Sequence, residues 1–116
     1  MVVELRPGVK IYGSLHGQYG ELMRFFDAFG TPDNDPSIKN GDIESCDYVF
    51  LGNYVDRGKS SLEVICTLLA LKLKFPESIY LLRGAHEDKQ VNQDEGLGLE
   101  CHLRLGEDIS DPNSVF

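Results

Sequence analysis

Three short segments of this 116-residue chain combine glycines with histidine, aspartate, asparagine or arginine. They are Gly13–Gly17, Gly52–Gly58 and Gly84–Glu87. Each segment follows a short apolar run that is rich in β-forming residues. In α/β proteins, chemistry is concentrated where a buried strand ends in polar residues bounded by glycines. These segments therefore supply the candidate functional residues.

The apolar runs predict strands at Val9–Tyr12, Tyr48–Leu51 and Ile79–Leu82. Helical patterns lie between them, and strand–helix alternation predicts parallel strands joined by right-handed crossovers. Parallel strands place their carboxyl ends on one edge of a sheet, which we call the rim. The residues expected to converge at the rim are His16, Asn53, Asp56, Arg57 and His86.

The helical patterns predict which residues face the core. The first helix is expected from Gln18 to Phe29, with a core stripe of Leu22, Phe25, Phe26 and Phe29. The second is expected to begin at Ser60, where Ser60-Ser-Leu-Glu63 fits a capping box. Its predicted core face is Leu62, Ile65, Cys66, Leu69 and Leu73, which makes Cys66 a buried residue. Residues 91–105 are weakly helical, interrupted by Gly96 and Gly98.

Composition and charge narrow the class of protein. The length predicts a single domain over residues 1–116, and a net charge of −8 argues against nucleic acid and anionic membranes as partners. Three separated cysteines without a Cys-x-x-Cys pair indicate reduced thiols in the cytoplasm or nucleus, and argue against a zinc site. The polar residues 31–47 predict a long surface loop, read as a solvated connector.

The three segments resemble the motifs G-D-x-H-G, G-D-x-V-D-R-G and G-N-H-E of the phosphoprotein phosphatase (PPP) family of protein serine/threonine phosphatases. Flanking stretches such as HGQYGELMRFF are similar to the type 1 branch of this family. The 31–47 loop and the last residues of the chain are similar to its Kelch-repeat-associated branch. The resemblance implies the N-terminal half of a catalytic domain. Its fold would be α/β, a partial metallophosphoesterase (calcineurin-like) sandwich with three parallel strands in βαβαβα order.

The resemblance also implies roles for individual residues. The family uses two divalent metals, here manganese, iron or zinc, to hold the phosphoryl group of phosphoserine or phosphothreonine proteins and an attacking water. His16 would be a metal ligand, His86 would protonate the leaving oxygen, and Asp56 would orient His86. Arg57 would bind the phosphate through its planar guanidinium. Ser14, Asn53 and Ala85 stand at the other family ligand positions.

The departures from the motifs all fall on metal ligands. Ser14 and Asn53 replace aspartates and Ala85 replaces an asparagine, so only His16 remains of the four ligands in these motifs. A cation held by one imidazole should bind weakly or not at all. The sequence therefore predicts a phosphatase family member whose hydrolysis is impaired.

Three functions remain open at this point. The chain could be a pseudophosphatase that binds phosphoprotein through the rim. It could instead be an active phosphatase with replacement ligands, for which Glu87 and Asp88 are the nearest candidates. It could also be an interaction domain that self-associates through exposed sheet edges. His86 and Arg57 could equally be residual scaffold, with Arg57 in an ion pair.

Overall fold

The computed structural model describes residues 2–116. Within them lie the strands β1 (Lys10–Tyr12), β2 (Tyr48–Phe50) and β3 (Ile79–Leu81). The helices are α1 (Tyr19–Phe29), α2 (Ser61–Lys74), α3 (Lys89–Glu95) and α4 (Leu97–Leu105). None of these helices is long and apolar enough to cross a lipid bilayer.

The strands form one parallel sheet in the order β1-β2-β3, which confirms the predicted α/β fold and the order of its strands. Alternate residues of a strand point to opposite faces. On one face, Tyr12 stacks against Tyr48 and Phe50, and Phe26 of α1 packs edge-on against Tyr12 and Tyr48. The core is centred on this face. On the opposite face of β1, Ile11 is 63% exposed.

The core stripe predicted for α1 is wrong at two of its four positions. Leu22 and Phe26 are buried, but Phe25 is half-exposed and Phe29 is 66% exposed. Phe25 and Phe29 stack on each other beside β1, which has no outer neighbour strand among the described residues. The helix therefore carries more apolar surface than this sheet can cover.

The predicted core face of α2 is wrong at three of its five positions, whereas Leu62 and Ile65 are partly buried and Ile65 packs against the core. The buried residues are Ser61, Val64 and Leu68, while Leu69 and Leu73 are 51% and 84% exposed. Cys66 is exposed, so it is not the buried residue that the periodicity predicted. Because α2 is apolar on several sides, its periodicity does not identify the face that packs on the sheet.

The capping box predicted for α2 does not form. The Ser60 side chain makes no capping hydrogen bond. Instead, the carboxylate of Glu100 in α4 accepts hydrogen bonds from the backbone N–H groups of Ser61 (3.0 Å) and Leu62 (3.2 Å). A residue 39 positions away along the chain thus satisfies the free N–H groups at the start of α2. Glu63, the expected partner, pairs with Arg104.

The weakly helical region is two helices, so the order is βαβαβαα rather than the predicted βαβαβα. Asp88 caps α3 by accepting from the backbone of Gln90 at 3.0 Å, and Gly96 separates α3 from α4. Gly98 lies inside α4, where a Cβ would approach Asn92 O to 3.3 Å. This glycine permits close contact between the two helices rather than interrupting helix formation.

Residues 31–47 contain an isolated bridge between Thr31 and Gly41 but no helix or strand. The segment is attached to the sheet through Asp42, which binds Lys10 and the Tyr48 hydroxyl. Burial and the Asp42 carboxylate raise the pKa of Tyr48. Ile43 reaches the core, although most of the segment is exposed.

Adjacent leucines in α2 give a direct test of which face is buried. We expect Leu68→Ala to lower the free energy of unfolding by about 2–5 kcal/mol, since Leu68 is fully buried. Leu69→Ala should cost less than about 1 kcal/mol, because half of that side chain already contacts solvent. Urea denaturation measures both values. Equal losses of stability, or a larger loss for Leu69→Ala, would support the core face that was predicted from periodicity.

Candidate functional site

The first two motif segments are joined through their backbones at the rim. The N–H groups of Leu15 and His16 both donate to Asn53 O, at 3.0 and 2.9 Å. Gly17 N donates to Tyr54 O at 2.9 Å. These bonds hold the histidine of the first segment directly against the polar cluster of the second.

The third segment is attached to the second by the carboxylate of Glu87. One oxygen accepts from Asn53 N (2.8 Å) and Gly84 N (2.7 Å), and the other accepts from Tyr54 N (2.8 Å). The backbones of Gly52 and Gly84 pack so closely that a Cβ on Gly52 would lie 2.3 Å from Gly84 N. The three segments therefore meet at one place, as the parallel topology predicted.

The hydroxyl group of Tyr54 contacts the backbone beside this junction. Its hydroxyl lies 2.8 Å from Phe50 O and 2.7 Å from Leu82 O, so its single O–H donates between the ends of β2 and β3. Burial, and then the charge of Glu87, raise the pKa of Tyr54 to about 12. The phenol stays protonated and keeps both strand ends together.

Four rim residues other than glycine have positive φ: His16 (45°), Asn53 (55°), Asp56 (69°) and Arg57 (67°). Outside glycine, no other residue among positions 2–116 has this backbone conformation. Left-handed conformations are unfavourable for residues with a Cβ, and such strain is concentrated at functional sites. All four were singled out from the sequence as candidate site residues.

Asp56 and His86 form a buried pair. His86 Nδ1 lies 3.0 Å from Asp56 Oδ2, and Asp56 is fully buried. Asn92 Nδ2 also donates to Asp56 Oδ2 (2.8 Å), and Leu97 N donates to Oδ1 (2.8 Å). The buried carboxylate is thus satisfied by one imidazole and two neutral donors, as a buried charge requires.

Asn92, which also donates to His86 O, is not among the site residues predicted from the sequence. It lies in α3, outside the motif segments, and one asparagine on a short polar helix gives no periodic signal. Glu87 was considered only as a replacement metal ligand. The sequence shows a glutamate at this position of the third motif segment, but it does not show that the carboxylate accepts hydrogen bonds from three backbone N–H groups.

Two of the family ligand positions, Ser14 and Asn53, hold neutral side chains that bond to each other. Asn53 Nδ2 donates to Ser14 Oγ (3.3 Å), and Asn53 Oδ1 accepts from His86 N (3.1 Å). Ala85 is exposed and has no donor atom. His16 is half-buried, with its ring 4.9 Å from that of His86 between centroids.

Arg57 is at the edge of the site rather than inside it. Its side chain is 62% exposed, and Nε lies 3.6 Å from Glu95 Oε2. Its backbone N donates to Glu95 O at 3.0 Å. Its ion-pair partner is thus Glu95 and not the adjacent Asp56, and most of the guanidinium faces solvent.

These residues do not fit a pair of divalent metals. Among residues 2–116, no group of three or more His, Cys, Asp or Glu side chains is arranged to hold a metal ion. Both oxygens of Glu87 accept backbone hydrogen bonds, and Asp88 caps α3, so neither candidate replacement ligand is free. Two metals in close proximity need several anionic ligands, which this rim lacks.

Comparisons with known proteins identify the class. The family described as calcineurin-like phosphoesterase matches residues 9–115, so the chain belongs to that family. Among its relatives is the serine/threonine-protein phosphatase BSL2 of Arabidopsis thaliana, 48% identical over 106 residues. That match covers 91% of this chain but 10% of the plant protein.

A solved structure agrees with this assignment. It is a protein serine/threonine phosphatase from Saccharomyces cerevisiae with similarity to human phosphatase PP5, matched with a TM-score of 0.72 and 30% identity. The match covers 88% of this chain and 29% of the yeast chain. The predicted resemblance to serine/threonine phosphatases is thereby confirmed, and the chain spans less than a third of the length of either relative.

The carboxylate of Glu87 should dominate the stability of the rim. We expect Glu87→Gln to lower the free energy of unfolding by about 1–3 kcal/mol, because an amide NH₂ would face backbone N–H donors. Glu95→Gln is the matched control and should cost no more than about 0.5 kcal/mol, since its partner Arg57 is exposed. Urea denaturation of both variants decides this. An equal effect would mean that the Glu87 bonds contribute little.

Proposed function

We propose that the chain is a serine/threonine phosphatase domain that binds phosphorylated serine or threonine in proteins without hydrolysing it. One observation supports this most directly. The Asp56–His86 pair remains assembled and buried, while the family ligand positions Ser14, Asn53 and Ala85 offer neutral atoms or none. The residues that would contact phosphate have been retained, and three of the four motif positions that would hold metal have been replaced.

In this proposal, phosphate binds across the rim between the second and third segments. Nδ1 of His86 is bonded to Asp56, so Nε2 is the atom left for phosphate, and the doubly protonated ring donates from Nε2 to a phosphate oxygen. Arg57 supplies a planar fork of N–H donors from the edge, and its exposed guanidinium can leave Glu95 with little loss. Asp56 orients His86, which would be the proton donor in an active relative.

The second candidate is an interaction domain that self-associates. The observation that favours it is the uncovered β1 edge, where a groove of about 520 Å³ is lined by Lys10, Ile11, Tyr12, Gly13, Phe25 and Phe29. An exposed strand edge beside apolar side chains invites strand pairing between copies.

A third candidate, an active enzyme with replacement ligands, has less support because Glu87 and Asp88 already bind backbone N–H groups. A cytoplasmic or nuclear location is part of the proposal.

Hydrolysis of para-nitrophenyl phosphate tests whether the chain turns over. We expect no manganese-dependent hydrolysis, because the rim lacks the ligands for a metal pair. Turnover that is lost in His86→Ala would overturn the proposal. The Ser14→Asp/Asn53→Asp/Ala85→Asn variant separates two causes. Activity in that variant assigns the loss to the ligands, and inactivity assigns it to sequence that lies outside this chain.

Binding of a phosphoserine peptide, measured in EDTA by calorimetry, tests the remaining function. We expect Arg57→Ala to weaken binding roughly tenfold, the loss of one charge-assisted contact. Arg24→Ala is the matched control, since Arg24 is also exposed and ion-paired but lies on α1, and it should change nothing. Absence of binding, together with a mass that rises with concentration in light scattering, would instead support self-association.

A further inference from the structure

Asn92 connects the two members of the buried Asp56–His86 pair. It lies in α3 with only 9% of its surface exposed. Its Nδ2 donates to Asp56 Oδ2 at 2.8 Å and also to the backbone O of His86. A carboxylate and a carbonyl can only accept, so both N–H bonds of the Asn92 amide are used and the orientation of the amide is fixed.

These contacts leave the His86 ring little freedom. His86 N donates to Asn53 Oδ1 at 3.1 Å and His86 O accepts from Asn92, so side chains hold both of its backbone polar groups. Its Nδ1 lies 3.0 Å from Asp56 Oδ2. With the backbone and Nδ1 held in this way, the direction of Nε2 depends on where the Asp56 carboxylate lies.

The Asp56 carboxylate is itself positioned from α3 and the start of α4. Leu97 N donates to its Oδ1 at 2.8 Å, while Asn92 and His86 share its Oδ2. Because both oxygens are bonded, the carboxylate cannot rotate without breaking a hydrogen bond. Asn92 and Leu97 lie outside the three motif segments, so part of the control over the pair comes from the helices that follow them.

We propose that Asn92 is a positioning residue: it holds the Asp56–His86 pair in the geometry that contacts phosphate, without touching the ligand itself. The role rests on the proposed binding of phosphorylated serine or threonine. Leu97 N and His86 already satisfy the buried carboxylate, and the bond from Asn92 to His86 O does nothing for that charge. The amide instead cross-links the second motif segment to the third, and a fully satisfied buried network of this kind specifies one side-chain arrangement.

Phosphoserine peptide binding, measured in EDTA by calorimetry, tests this role through a double-variant cycle. We expect Asn92→Ala to weaken binding about tenfold, and His86→Ala to weaken it at least as much. The variant that carries both changes should bind no more weakly than His86→Ala alone, because a positioning residue has no effect once its target is gone. Losses that add in the double variant, or full affinity in Asn92→Ala, would overturn the role.

Two control variants separate positioning from a general loss of stability. Gln93→Ala removes the neighbouring amide of α3, which is exposed, and should change neither binding nor stability. Leu68→Ala removes a fully buried core side chain of α2 and should bind normally at a temperature at which it is folded. Equal weakening by Leu68→Ala would assign the effect of Asn92→Ala to lost stability and would overturn the role.

Proton exchange, followed by nuclear magnetic resonance, tests the geometry even if Asn92→Ala does not fold. In the unsubstituted chain, the side-chain N–H protons of Asn92 should exchange with water at least about tenfold more slowly than those of Asn40. The Asn40 side chain is exposed and donates to Asp27 O at 2.8 Å. Equally fast exchange at the two asparagines would overturn the role.

The same method distinguishes a failure of the positioning role from a failure of phosphate binding. In folded Asn92→Ala, the Nδ1 proton of His86 should exchange faster than it does in Gln93→Ala, and unchanged exchange would contradict positioning. A chain that shows this difference but binds no phosphoserine peptide would refute the proposed function alone, and would leave the positioning of His86 by Asn92 supported.

Discussion

The carboxylate of Glu87 is the interaction on which the rest of the rim depends. It accepts three backbone hydrogen bonds from two chain segments that follow different strands. Short parallel strands of three residues each cannot by themselves fix the loops beyond their ends. With Asn53 and Gly84 held on one carboxylate, the backbones of the second and third segments touch, and the first is joined to them through Asn53 O.

The sequence predicted the strands and the meeting of the three segments, because both follow from local patterns and the handedness of parallel crossovers. Faces of helices were less predictable. In α1 and α2, apolar residues outnumber the positions that the small sheet can cover, so Phe29 and Leu69 look like core in the sequence and lie in solvent. Long-range polar contacts could not be predicted from the sequence. Neither Glu100, which binds the first N–H groups of α2, nor Asn92, which binds Asp56, belongs to a periodic pattern.

Electrostatics explain why the rim tolerates its substitutions. Two aspartates at positions 14 and 53 would face each other without a metal, and like charges at that distance oppose ionisation and folding. Ser14 and Asn53 instead share a hydrogen bond. The one buried carboxylate that remains, Asp56, has an imidazole and two N–H donors around it. Positions 14 and 53 are therefore neutral where the family motifs have aspartates, while the two histidines are still held by Val55 O and Asp56.

The positive-φ backbone of His16, Asn53, Asp56 and Arg57 has a consequence for molecular recognition. A free loop would seldom sample four such conformations together, so here the surrounding bonds have already removed that freedom during folding. A partner arriving at the rim meets a rigid template and loses little further conformational entropy from the backbone on binding. Association at this surface should therefore resemble the docking of preformed shapes more than the ordering of a flexible loop.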